Sequence, residues 1–127
     1  MPLGDSITEI TCWRALVWNQ LTTAGLASEV DFVGSMNSLP QNCQRPSNFD
    51  AGHEGHSGWT GVNIANNYLR GWLQTTQPDV VQFMLGTNDA FQGQSTDAII
   101  GSYTTVVNLM RESNPNMKII VSLLPSL

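Results

Sequence analysis

Two uncharged runs, Val80 to Leu85 and Ile119 to Leu124, constrain the fold of this chain more than any other feature. A strand with one face in water alternates apolar and polar residues, whereas a strand covered on both faces reads as a nearly continuous apolar run. Val80 to Leu85 and Lys118 to Leu124 are therefore expected to be strands buried on both faces. The intervening segments have helical spacing. Thr8 to Ala24 reads as a helix, with Ile10, Trp13, Leu16, Val17 and Leu21 on one face and Gly25 at its stop. Thr60 to Leu73 reads as a second helix, with Thr60 as N-cap, and Thr96 to Arg111 as a third. Leu3 ends a short first strand. Val30 to Val33, β-branched and aromatic, reads as another. Ser35 to Gly58 is a long polar loop, of a length that is usually functional. Strands alternating with helices predict an α/β fold, a parallel sheet covered by helices. Ligands of such sheets sit beyond the carboxyl ends of the strands.

The chain has 127 residues, enough for one domain spanning 1–127. With 41% hydrophobic and 12% charged residues it has the composition of a packed domain rather than a disordered one. The net charge is −5, and the basic residues Arg14, Arg45, Arg70, Arg111 and Lys118 are scattered. No nucleic-acid partner is expected, because such binding needs a basic patch. No membrane partner is expected either, since no apolar run approaches the roughly 20 residues of a spanning helix. Met1-Pro2-Leu3 leads straight into a motif, with no signal peptide expected ahead of it. Cys12 and Cys43 form either two free thiols or one disulfide, and their spacing alone does not decide between them.

Three segments could carry chemistry, and all fall at strand or loop ends. Gly4-Asp5-Ser6-Ile7-Thr8 joins the first strand to the first helix. A serine at such a turn can present its hydroxyl and its own N–H to solvent. It can equally be a helix start, with Asp5 or Ser6 as cap and Glu9 completing a capping box. His53-Glu54-Gly55-His56-Ser57-Gly58-Trp59-Thr60 closes the long loop, and Gly58 offers a backbone N–H for a developing oxyanion. Two histidines and a glutamate also raise the question of a metal, but the His-Glu-x-x-His order is absent and no metal or cofactor is expected. The bland alternative is a polar loop with hydrogen-bonded histidines. Gly86-Thr87-Asn88-Asp89 follows the third strand, and the Asn88 amide could donate to an oxyanion. Asn-Asp is also good Asx-turn material.

Taken together, these segments in this order resemble the first three sequence blocks of the SGNH hydrolases, the GDSL family, across the whole chain. The Gly-Asp-Ser-Ile-Thr-Glu and His-Glu-Gly-His-Ser-Gly-Trp-Thr stretches look most like carbohydrate esterase family three, acetyl xylan esterases that are typically secreted. The resemblance implies a flavodoxin-like three-layer sandwich with strand order 2-1-3-4-5. It implies a serine ester hydrolase that removes acetyl groups from carbohydrate. Ser6 matches the nucleophile; the Ser6 N–H, the Gly58 N–H and the Asn88 side chain match the oxyanion hole. Asp5 is expected to hold the turn, with Asp89 and His56 in support. Likeness to secreted enzymes favours a Cys12–Cys43 disulfide and a secreted protein.

The same resemblance places the general base in an Asp-x-x-His block after a fifth strand, and the sequence reaches Leu127 just after the fourth. Asp50-Ala51-Gly52-His53 has that spacing but lies upstream of Gly58 and is read as coincidence; His56 is a conceivable substitute. The chain is thus expected to be part of a longer enzyme, or a remnant that binds carbohydrate without turnover. Its last strand, without a neighbour, is expected to self-associate. A nucleotide-binding role is disfavoured, as no Gly-x-Gly-x-x-Gly follows a strand.

Overall fold

A computed structural model describes residues 1–126; Leu127, and with it the expected end of the domain, lies outside the described residues. The elements run β1 (Pro2–Gly4), α1 (Ser6–Ile10), α2 (Trp13–Thr23), a 3-10 turn (Ala27–Glu29), β2 (Glu54–Gly55), α3 (Gly61–Asn67), α4 (Leu69–Thr76), β3 (Val80–Met84), α5 (Thr87–Phe91), α6 (Thr96–Ser113) and β4 (Lys118–Val121). The four strands form one sheet in the order β2-β1-β3-β4, and every pair is parallel. This is the expected α/β class and the expected strand order.

Leu3, Val81 and Phe83 put their side chains on one face of the sheet, where they meet Ile64, Leu69 and Leu73 of α3 and α4, and Val106 and Met110 of α6. All of these are buried, and this layer is the main core. Burial of each large aliphatic side chain contributes about 1.5–3 kcal/mol. Gly4 keeps β1 flush with its neighbours, because a Cβ there would collide with the Thr8 hydroxyl and the Met84 carbonyl.

The opposite face departs from expectation. β3 and β4 are poorly covered there: Val80 and Ile120, which the register puts on this face, are about half exposed. A cleft of about 700 Å³ lies on this side, lined by Trp13, Val17 and Leu21 of α2 and by Pro2, Val80, Gln82 and Ile120 of the sheet. An apolar run shows that a strand can be covered on both faces; a packed helix must be present to do it.

The first helix also differs. It breaks at Thr11–Cys12 into α1 and α2, and its buried side is Arg14, Ala15 and Trp18, while Leu16 is exposed. The most buried side is turned toward Arg14, whose guanidinium is satisfied inside, while Trp13, Val17 and Leu21 of the expected face are half-buried. Arg14 donates to the carbonyls of Thr8, Glu9, Ser38 and Ala51 at 2.9–3.2 Å. A buried charge costs little once its donors are paired in this way.

The second strand is not Val30–Val33 but Glu54–Gly55, inside the expected loop. Carboxylates replace a ladder along the earlier segment: Asp50 accepts from the Phe32 N–H at 2.7 Å and Glu54 from the Ser35 N–H at 2.7 Å. The second helix breaks at Tyr68, and α5 is a helix that the sequence reading did not expect. Thr60 caps α3 through the Asn63 N–H, as expected, and α6 runs two residues beyond its expected end.

Candidate active site

Gly4 pairs with Gly55 on one side and with Met84 on the other. The chains leaving β1, β2 and β3 therefore emerge together at the carboxyl edge of the sheet. They are the Asp5-Ser6 turn, the His56-to-Thr60 turn and the Gly86-to-Asp89 turn.

Asp5 caps α1. It is fully buried, and its Oδ1 accepts the Ile7 N–H at 2.9 Å. Its other oxygen has no partner among the described residues. Burial, reinforced by the charge of Asp89, holds its pKa above the ordinary carboxylate value. Ser6 is the first residue of α1 and is partly exposed. At that position its N–H has no intrahelical acceptor.

The expected capping box does not form, because Glu9 turns away from the helix start. Its carboxylate accepts the Ser57 N–H at 2.9 Å and the Ser57 hydroxyl at 2.5 Å. Partial burial would raise the Glu9 pKa; the Ser57 bonds outweigh it and hold it below the usual value.

In the second turn, three successive N–H groups meet different fates. Ser57 donates to Glu9, and Trp59 donates to the His56 carbonyl at 3.2 Å. The Gly58 N–H between them has no acceptor among the described residues. Gly58 has φ +82°, a left-handed conformation that side chains with a Cβ rarely adopt. The His56 ring packs against both Trp59 and Trp72, with centroids 4.5 and 4.6 Å away. Its Nε2 meets the buried Glu54 carboxylate at 2.5 Å. Burial would raise the Glu54 pKa, but the bonds from His56 and Ser35 outweigh it and hold it low.

In the third turn, Asn88 donates one amide hydrogen to the Trp59 carbonyl at 2.8 Å, leaving its second for another acceptor. Asp89 is buried and accepts the Gly61 and Val62 N–H groups at 2.6 and 3.0 Å. It closes the start of α3 and ties the third turn to the second.

Asp50 and His53 do not form a dyad. Asp50 holds the Phe32 and Gly52 N–H groups. His53 is buried; its Nδ1 accepts the Gly55 N–H at 2.9 Å and its Nε2 meets the Ser38 hydroxyl at 2.9 Å. Burial and the Arg14 charge push its pKa down to about 4. Both His53 nitrogens and Nε2 of His56 are thus engaged away from Ser6.

Sequence reading missed Glu9, Arg14 and Glu54 as organisers of this site. Arg14 and Glu54 prove buried and Glu9 partly so, and each acts on residues distant in sequence. The thiols of Cys12 and Cys43 both point at the Gln41 carbonyl, at 3.4 and 3.3 Å, and are not joined. Among the described residues, no cluster of three His, Cys, Asp or Glu side chains could hold a metal.

Three solved structures are similar to this chain in fold and sequence. An acetyl esterase carrying a serine-to-alanine substitution, solved with acetate ion, is 62% identical, with a TM-score of 0.93. A carbohydrate esterase family 3 protein from Talaromyces cellulolyticus is 63% identical, also at 0.93. A family 3 carbohydrate esterase from Clostridium thermocellum is 37% identical, at 0.77. Each alignment covers 95% of this chain, and the chain spans 59% of the first two relatives and 58% of the third. No curated protein sequence matches. The model of the GDSL-like lipase/acylhydrolase family matches residues 3–127, and the chain belongs to this family.

Proposed function

We propose that this chain carries the nucleophile and oxyanion hole of a secreted serine esterase that removes acetyl groups from carbohydrate. The unpaired Gly58 N–H carries the reading. It stands between two N–H groups that are both bonded, beside the Asn88 amide, at the sheet edge where Ser6 emerges. Ser6 Oγ attacks the acetyl carbonyl. The Ser6 N–H, the Gly58 N–H and the Asn88 amide stabilise the oxyanion as charge develops on it. One such donor is worth about 10²–10³ in rate. Asp5, Asp89, Glu9 and His56 hold the three turns in place. Similarity to acetyl esterases of carbohydrate esterase family 3 supports acetyl as the acyl group and carbohydrate as its carrier.

Ser6 needs a base to become a good nucleophile. Both His53 nitrogens and His56 Nε2 are engaged elsewhere, and the Asp-x-x-His block of the resemblance is the candidate source of the base. That same engagement favours one alternative, a carbohydrate-binding remnant without turnover.

Hydrolysis of 4-nitrophenyl acetate by the protein as its gene encodes it is the test. Activity that Ser6→Ala abolishes supports the esterase. Activity that survives Ser6→Ala, or no activity at all, overturns it. The 127 residues alone should retain only oxyanion and binding contributions, about 10³–10⁴ over water.

A further inference from the structure

α5 opens with Thr87, Asn88 and Asp89 and ends with Phe91, whose ring is 74% exposed. A single exposed apolar side chain is common and needs no explanation by itself. Its bearing on this short helix does. A helix turns about 100° per residue. Asp89 therefore lies about 100° from Asn88 on one side, and Phe91 about 60° from it on the other. Asp89 points inward, onto the Gly61 and Val62 N–H groups. Phe91 is consequently on the outward flank of Asn88. Gln92, the C-cap of α5, lies about 40° from Asn88 on the Asp89 side and reaches the Gly58 carbonyl at 3.5 Å. Asn88 and Gln92 thus meet the Gly58 turn, and Phe91 stands beside Asn88 on its solvent side.

We infer that Phe91 is a specificity-determining residue: its ring stacks on the sugar that carries the ester while Asn88 holds the ester oxygen. The inference rests on the esterase reading above for its substrate class. A pyranose presents one face of C–H groups, and an aromatic ring offers it a large, rigid, negatively polarised surface. A small aryl acetate has no such face. Phe91 therefore discriminates between acyl carriers and adds nothing to the chemical step.

The experiment compares an acetylated xylo-oligosaccharide with 4-nitrophenyl acetate in the protein as its gene encodes it. Phe91→Ala should lower the ratio of the two kcat/KM values about tenfold in disfavour of the sugar, through KM. Phe91→Tyr should restore the ratio. Calorimetric titration with unacetylated xylo-oligosaccharide in the Ser6→Ala background reads the same contact without chemistry. There Phe91→Ala should raise Kd at least fivefold, with Phe91→Tyr again restoring it. An unchanged Kd, no sugar binding by the parent, or equal losses on both substrates with a lowered Tm would overturn the inference. The esterase reading fails separately, as absent turnover with sugar binding intact.

Discussion

The Glu9 carboxylate binds both the N–H and the hydroxyl of Ser57, a residue 48 positions further along the chain. The first helix after Ser6 thereby holds the residue that precedes Gly58. The nucleophile turn and the oxyanion turn are fixed to each other by one side chain.

Glu9→Ala should therefore uncouple the two turns. Both Ser57 bonds are solvent-accessible, so the stability loss should be small, about 1 kcal/mol. The loss in kcat on 4-nitrophenyl acetate should be larger, roughly 10–100-fold, approaching that of a missing oxyanion donor. Steady-state kinetics beside urea denaturation separates the two effects. Equal losses in both would make Glu9 a merely structural residue.

Asp89→Ala should act in the opposite proportion. It would strip the acceptor from two N–H groups at the start of α3, one of them buried. Unfolding free energy should drop by about 2–3 kcal/mol, since a lost cap and an unsatisfied buried donor each cost about 1 kcal/mol or more. Urea titration at neutral pH checks this. Asp89→Asn should recover part of the loss, as its carbonyl oxygen can accept one of the two bonds.

Acid should weaken the protein through His53. Its pKa falls from 6.5 in the unfolded chain to about 4 in the fold, because burial and the Arg14 charge penalise the imidazolium. Between these values the unfolded state binds more protons than the native state, so stability rises with pH. The contribution is complete above about pH 6.5, declines as pH falls toward 4, and is absent below. Its size is roughly 3 kcal/mol. Glu9 and Glu54, both held low, add losses at more acidic pH, below their ordinary value of 4.5. Denaturation curves from pH 7 to 4 should show the decline. In His53→Gln the slope between pH 6.5 and 4.5 should flatten.

The Cys12 and Cys43 thiols share the Gln41 carbonyl as acceptor, and the Cys43 thiol beside Cys12 raises the latter's pKa. We propose that they are oxidised to a disulfide in an oxidising compartment, losing two protons and two electrons to an oxidising thiol–disulfide couple. Thiol titration after denaturation without reductant should find no reactive thiol. Two reactive thiols would defeat the proposal.

β4 is an edge of the sheet, with Ile120 and Val121 half exposed and Leu123 91% exposed. Among residues 118–126 only Lys118 is charged. An uncharged apolar edge pairs readily with another strand. The 127-residue chain should accordingly self-associate at micromolar concentration, visible by light scattering. A stable monomer with a protected Ile119-to-Val121 backbone would overturn this.

Much of the fold is legible in local pattern. Strand runs, helical spacing and turn residues act over a few positions, so β1, β3, β4 and α6 can be read directly, and parallel pairing follows from their alternation with helices. The three turns are legible for the same reason, since each is contiguous in sequence. What the tertiary structure decided is everything that depends on a distant partner. Glu54–Gly55, not Val30–Val33, pairs with β1, and the Phe32 N–H of the earlier segment goes to the Asp50 carboxylate, 18 positions away. The first helix buries Arg14 rather than Leu16 because four carbonyls, two of them from residues 38 and 51, converge on the guanidinium. The Gly58 N–H has no acceptor among the described residues, while Glu9 engages the N–H on one side of it and the His56 carbonyl the N–H on the other. Sequence determines which groups can donate or accept, but which of them stay unpaired is settled only when residues far apart in the chain are brought into contact.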